Sequence, residues 1–181
     1  MDTFNYILDI MEAKYPSIYK HSERVAMMCY EFSKKFDLDG TDRKALYTAG
    51  FLHEVGKCGM EQETFNIEGK EVKLEEVYPL FSQAIVNMVI DNQRVAKIVG
   101  QHLENSDGSG HPQHLGEKDI HLFATMVHMC DFYDHCRMEG DSHNTATAKL
   151  RKCTDIMFPK KMITTFIKML VNDDSLDFYK R

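Results

Sequence analysis

Apolar positions recur at steps of three and four along nearly the whole chain, the spacing of one face of an α-helix. Phe4, Ile7, Leu8 and Met11 predict a first helix over 3–14. Pro16 and Ser17 restart the chain, and Val25, Met28, Cys29, Phe32 and Phe36 predict a second helix over 18–36. Residues 37–40 break it. Thr41 is the expected cap of a third helix over 42–55, and Gly56 its expected terminator. Further helical stretches fall at 79–90, 93–103, 118–137 and 143–153, and "PKKMITTFIKMLV" opens a last one with proline in its first turn. Two segments interrupt the pattern. Residues 58–75 are polar, with weak alternation near 65–72, and "ENSDGSGHPQHLGE" at 104–117 is dense in turn formers. Long loops inside a helical domain often carry function. The pattern predicts an all-α bundle of about six to eight helices, one domain over 1–181.

Composition narrows the function classes. The chain has 181 residues, 43% hydrophobic and 28% charged, which is ordinary for a globular domain with a sizeable core. A net charge of −6 supplies no basic field for a phosphate backbone, so a nucleic-acid polymer is not an expected partner. A small phosphorylated molecule or nucleotide held through a metal remains compatible. Five cysteines, odd in number and without a CxxC pair, fit reduced thiols in a cytoplasmic protein. The acidic, amphipathic start "MDTFNYILDIMEAKYP" does not read as a leader. No apolar run approaches the roughly 18 residues of a membrane span.

The chemistry-bearing residues are imidazoles and carboxylates in apolar settings. There are nine histidines. His21 lies on the second predicted helix, His53 and Glu54 end the third, and His102 precedes the glycine-rich loop. Asp131 lies inside the apolar run "FATMVHMCDFY". A carboxylate buried there is costly unless it meets a cation, an arginine or a metal. Neighbouring helical residues point about 100° apart, so His53 and Glu54 reach one ion together only at a helix end. Imidazole with carboxylate suits Mn, Fe, Zn or Ni rather than a thiolate zinc site. His111 and His114 read as solvated loop residues. His121, His128 and His135, seven residues apart, read as an amphipathic stripe.

"HSERVA" at 21–26, "FLHEVGK" at 51–57, "GQHLENSDGSGHP" at 100–112 and "MVHMCDFYD" at 126–134 resemble, in order and spacing, the HD superfamily of metal-dependent phosphohydrolases. The match is to its HD-GYP branch, whose best-known members hydrolyse cyclic di-GMP. That pattern runs "LLHDIGK", a histidine-proline, "HHExxDGxGYP" and "aDvfDA". The resemblance implies that His21, His53, Glu54 and Asp131 form a first metal site and that His102 belongs to a second. It places Lys57 beside substrate phosphate, matches Asp134 to the second aspartate of "DvfD" and so makes it a catalytic candidate with Lys57 and His102, and sets Asp107, Gly108, Gly110 and Pro112 in the signature loop.

The chain departs from the pattern at several places. Glu54 stands for the aspartate, Tyr78 for the histidine before proline, and Leu103 for the second histidine of "HHE". "EGDSHN" at 139–144 lacks an expected phosphate-binding arginine. With two imidazoles gone, one metal site is expected rather than two. His102 then becomes a phosphate-contacting or proton-transferring group. Two readings follow. One is a divalent-metal phosphohydrolase for a nucleotide or small phosphoester, with cyclic di-GMP not the expected substrate. The other is a module that binds a nucleotide or a signalling-protein partner without turnover, with absence of the metal among its alternatives.

Overall fold

A computed structural model of the chain describes residues 3–67 and 69–172. Among these described residues, eight helices are connected in the order α1 (Thr3–Lys14), α2 (Pro16–Ser33), α3 (Gly40–Leu52), α4 (Leu74–Val89), α5 (Gln93–Gly100), α6 (Leu122–Met138), α7 (His143–Lys152) and α8 (Lys160–Asn172). Between α3 and α4 runs a hairpin of β1 (Thr64–Ile67) and β2 (Lys70–Lys73), paired antiparallel with Thr64 opposite Lys73. The architecture is the expected all-α bundle. The weak alternation near 65–72 is this hairpin, and Phe65 packs its ring on Phe81 of α4 at 5.3 Å.

α6 lies at the centre. Twelve of its seventeen residues are buried, as expected of a helix that is apolar nearly all round. α2, α3 and α5 pack against it, and Phe32, Leu46, Ile98, Met126, Met129 and Phe166 fill the space between them. Asp131 and Asp134 sit on this buried helix, so each carboxylate must be met by a cation.

Several helix ends differ from the sequence expectation, for identifiable reasons. The last turn of the second helix tightens to a 3-10 turn over Lys34–Phe36, which ends in left-handed Asp37. α3 is capped by Asp39, whose carboxylate accepts from the Asp42 amide, and not by Thr41. α4 starts five residues before Pro79, straight from the hairpin, with Glu75 and Glu76 in its first turn where the helix dipole favours them. α6 starts at Leu122 because the His121 ring accepts from the Phe123 amide and caps it.

Candidate metal centre

α3 ends at Leu52, and residues 53–57 leave it as a short turn that is clamped from α4. The Ser82 hydroxyl donates to the His53 carbonyl at 2.9 Å and accepts the Gly56 amide at 2.8 Å. A Cβ on Gly56 would lie 2.5 Å from both the Ser82 nitrogen and the Tyr78 carbonyl oxygen. Gly56 is therefore required by close approach to α4 and not, as expected, by a left-handed helix cap. The clamp fixes His53 and Glu54 at a helix end, from which each side chain reaches His21.

His53, Glu54 and Asp131 each approach His21, and the donor atoms of His21, His53 and Asp131 lie within 4.8 Å of one another. His21 Nε2 lies 3.2 Å from His53 Nε2, 3.1 Å from Asp131 Oδ1 and 3.8 Å from Glu54 Oε2. His53 Nδ1 donates to the Gly50 carbonyl at 2.7 Å, which leaves its Nε2 lone pair aimed into the cluster. Asp131 Oδ1 also has His53 Nε2 at 3.6 Å and His135 Nδ1 at 2.8 Å. These contacts are close but poorly directed: the buried Oδ1 receives no hydrogen bond that satisfies angle as well as distance. Burial raises the Asp131 pKa, but the imidazoles of His135, His21 and His53 outweigh it and hold the carboxyl well below the usual range. Burial would lower the His21 pKa, yet Asp131 and Asp134 push it up to about 10. The cluster attracts positive charge and leaves one carboxylate oxygen without a directed partner.

Asp134 is fully buried and does not face the cluster's open side. Its carboxylate takes a bidentate pair from Arg24, at 2.7 and 2.8 Å, and accepts His21 Nδ1–H at 2.7 Å. That bond holds the Nδ1 proton, so that the ring presents Nε2 once its second proton is displaced, the arrangement of a carboxylate behind a metal-binding imidazole. Lys57 joins Glu54 at 2.6 Å and Glu75 at 3.1 Å, and its ammonium lies 4.2 Å from the Tyr78 ring centroid. Burial would lower the Lys57 pKa, but Glu54 and Glu75 raise it, so it stays charged. Arg24, Lys57, His21, Glu54 and His135 line an open cavity of about 340 Å³.

His102 differs from its expected role. It is fully buried, and both ring nitrogens are engaged: Nδ1 donates to the Val99 carbonyl at 2.6 Å, and Nε2 accepts the Tyr78 hydroxyl at 2.9 Å. Burial, with His53 nearby, lowers its pKa well below the ordinary value, so it is neutral. It does not line the cavity and cannot touch phosphate there. The signature loop is held from within. Buried Glu104 accepts the Gln113 and Leu115 amides at 2.6 and 2.8 Å, and Gly110 packs so closely that a Cβ would lie 2.2 Å from the Asn105 nitrogen. Asp107 accepts the Ser109 amide, and Gly108 takes the left-handed conformation of the turn.

The histidine stripe on α6 divides into three separate tasks. His121 caps the helix, and His128 contacts the Glu104 carbonyl and the Phe158 ring. His135 joins the cluster, which the sequence reading missed. The available signal was its position four residues after Asp131, one turn along the same face.

The HD domain family model matches residues 5–158. The chain belongs to that family, and its motif order places it in the HD-GYP-like branch. It is 29% identical over 129 residues, 69% of its length and 30% of the relative's, to a 3'3'-cGAMP-specific phosphodiesterase of Vibrio cholerae. It is 30% identical over 124 residues, 64% of its length and 29% of the relative's, to a cyclic di-GMP phosphodiesterase of Pseudomonas aeruginosa. The chain thus spans under a third of either protein. A crystal structure of a cyclic GMP-AMP-specific phosphodiesterase of V. cholerae covers 99% of this chain and 50% of its own, with a TM-score of 0.77 at 15% identity. HD-domain phosphohydrolases are metal-dependent. The expectation that set cyclic di-GMP hydrolysis aside is corrected by the second relative. No helix among the described residues is long and apolar enough to cross a membrane.

Proposed function

We propose that the chain is a metal-dependent phosphodiesterase of the cyclic-dinucleotide class that works through one divalent ion held by His21, His53, Glu54 and Asp131. The observation that carries this reading is the buried Asp131 Oδ1, which has three imidazole nitrogens within 3.6 Å and no directed hydrogen bond. Ligand atoms about 2.1 Å from one ion are separated by roughly 3 to 4 Å, and the donor contacts among His21, His53, Glu54 and Asp131 run from 3.1 to 3.8 Å. The donor set suits Mn, Fe, Zn or Ni. Such an ion, when bound, polarises a phosphoryl oxygen and lowers the pKa of a water. The chain's own residues supply the rest. Lys57 and Arg24 set positive charge along the cavity where a phosphodiester enters. Asp134 holds the His21 tautomer, and Ser82 fixes the turn that carries His53 and Glu54. The choice among 3'3'-cGAMP, cyclic di-GMP and other dinucleotides is assigned by assay.

Binding without turnover is the competing reading. It is favoured by the Tyr78–His102 bond, which closes the position where the family's pattern puts a second metal. Metal analysis of protein prepared without chelator separates the two, combined with turnover of 3'3'-cGAMP and cyclic di-GMP. About one ion per chain, with turnover abolished in Asp131→Ala, is expected. Metal uptake without turnover of either substrate favours the binding module. Protein that takes up no Mn, Fe, Zn or Ni defeats the metal reading.

A further inference from the structure

A larger groove, of about 700 Å³, lies between the later half of α2 and the first turns of α3 and shares no residue with the metal cavity. That volume is in the range of small-molecule sites, about 300–1,000 Å³. Its apolar walls are Met27 and Tyr30 from α2, each 40% exposed, and Tyr47 from α3. Arg43 and Lys44 of α3 stand among them. His21 precedes Met27, and His53 follows Tyr47, by six residues. Groove and metal centre are thus separated by roughly 9 Å or more along each helix.

The charges that face the groove do not cancel. Glu31 is already paired with Lys34 at 2.6 Å. Arg43 donates through Nε to the Leu38 carbonyl at 2.7 Å, which holds the guanidinium in place and leaves its charge uncompensated. Neither Arg43 nor Lys44 is paired with a carboxylate among the described residues. Gly40, the first residue of α3, also lines the groove and adds the positive end of the helix dipole. The acids near that end are engaged: Asp42 is tied to Arg94 at 2.6 Å, and Asp39 accepts the Asp42 amide as helix cap. Burial, and Glu23 after it, raise the Tyr47 pKa, so an anion belongs at the Gly40 end and not beside Tyr47. In a chain of net charge −6, the groove joins aromatic walls to uncompensated positive charge.

We propose that this groove binds a nucleoside monophosphate, with its base against the tyrosine rings and its phosphate met by Arg43 and Lys44. A base of any identity stacks on an aromatic ring, and a guanidinium fork beside a flexible ammonium suits phosphate. A purely apolar ligand would leave both cations unmet, and an inorganic anion would use neither ring. Three apolar side chains are also short of the run of anchors that an amphipathic helix engages. The site needs no metal ion and stands independently of the metal reading above.

The full chain, kept in chelator, is titrated calorimetrically with GMP, AMP, guanosine and inorganic phosphate. At least one nucleotide should bind, about ten-fold or more tighter than guanosine or phosphate, because each of these forgoes one half of the contacts. Tyr30→Ala should raise its Kd about five-fold or more, the loss of one stacking ring. Gly40→Leu should abolish binding. A Cβ at Gly40 meets nothing within 4 Å, so the leucine fills the groove without displacing the fold, and circular dichroism checks both variants. Lys57→Ala, in the metal cavity, should leave the Kd unchanged. No binding of GMP or AMP overturns the inference, as does guanosine or phosphate binding equally well. Binding that survives Gly40→Leu but is lost in Lys57→Ala puts the nucleotide in the metal cavity and overturns it too. Sedimentation equilibrium covers the other occupant: a dimer broken by Gly40→Leu assigns the groove to a second copy of the chain and overturns the nucleotide site. Each of these failures leaves the metal reading standing, because no metal is present in the titrations.

Discussion

Two imidazoles flank His53, one on each side, with ring centroids 5.1 Å away in both cases. On the open side His21 is surrounded by Asp131, Asp134 and Glu54, and its pKa is driven up to about 10. On the closed side His102 has a hydroxyl and a carbonyl for partners, and burial drives its pKa down. The residue type and the distance from His53 are the same. The neighbours decide the chemistry: carboxylates on one side build a site that attracts a cation, and a tyrosine on the other completes a neutral hydrogen-bonded core. The difference is local enough to be broken by single substitutions.

Asp131→Ala should have the largest effect. It removes the oxygen shared by His21, His53 and His135. Metal affinity should fall by more than about 100-fold, beyond the cost of losing an outer-shell partner, as read by competition with a chromogenic chelator. Asp134→Asn comes next. It keeps an acceptor for His21 Nδ1–H but removes the charge that makes His21 a better donor to metal. A loss of about 10–100-fold in metal affinity is expected. Unchanged affinity in Asp134→Asn would show that Asp134 serves only the Arg24 pair.

Tyr78→Phe tests the closed side. The ring remains, with Lys57 still against its face, but His102 Nε2 becomes a buried acceptor without its hydroxyl. Stability should drop by about 1–3 kcal/mol, measured by urea unfolding, while metal affinity stays within error. A change in metal affinity would mean that the two sides are coupled through His53 and are not independent.

The helices were legible because the 3.6-residue pattern survives wherever one face is buried. The order of the motifs also fixed which helix ends meet. What the sequence hid depends on partners far along the chain. Gly56 reads locally as a helix terminator, yet its constraint comes from Ser82 and Tyr78 on α4. Tyr78 reads as a lost ligand, but its hydroxyl takes up the His102 nitrogen that the loss would have left bare. Asp134 reads as catalytic by its motif, and only the packing of α2 on α6 shows that it stands behind His21. His135 was masked by the seven-residue recurrence it shares with His121 and His128, although those three side chains have nothing in common in the fold.

Glu54 gives the smallest and most discriminating test. In the pattern this position is aspartate, and the extra methylene looks like a defect if the residue only has to reach metal. In the structure the two carboxylate oxygens are divided. Oε1 is 2.6 Å from Lys57 Nζ, while Oε2 faces His21 Nε2 at 3.8 Å. The turn is pinned by Ser82, so the backbone cannot advance to make up for a shorter side chain. Glu54→Asp must therefore give up either the contact with Lys57 or the reach toward the ion. If the aspartate stays with Lys57, the ion loses one carboxylate donor, and metal binding should weaken roughly five-fold, equivalent to about 1 kcal/mol. If the aspartate turns to the ion, affinity is kept and Lys57 is released, which should raise KM for a phosphodiester and leave kcat alone. A rise in metal affinity together with an unchanged KM would show that the glutamate's length serves neither partner, and that the open side is as eroded as the closed one.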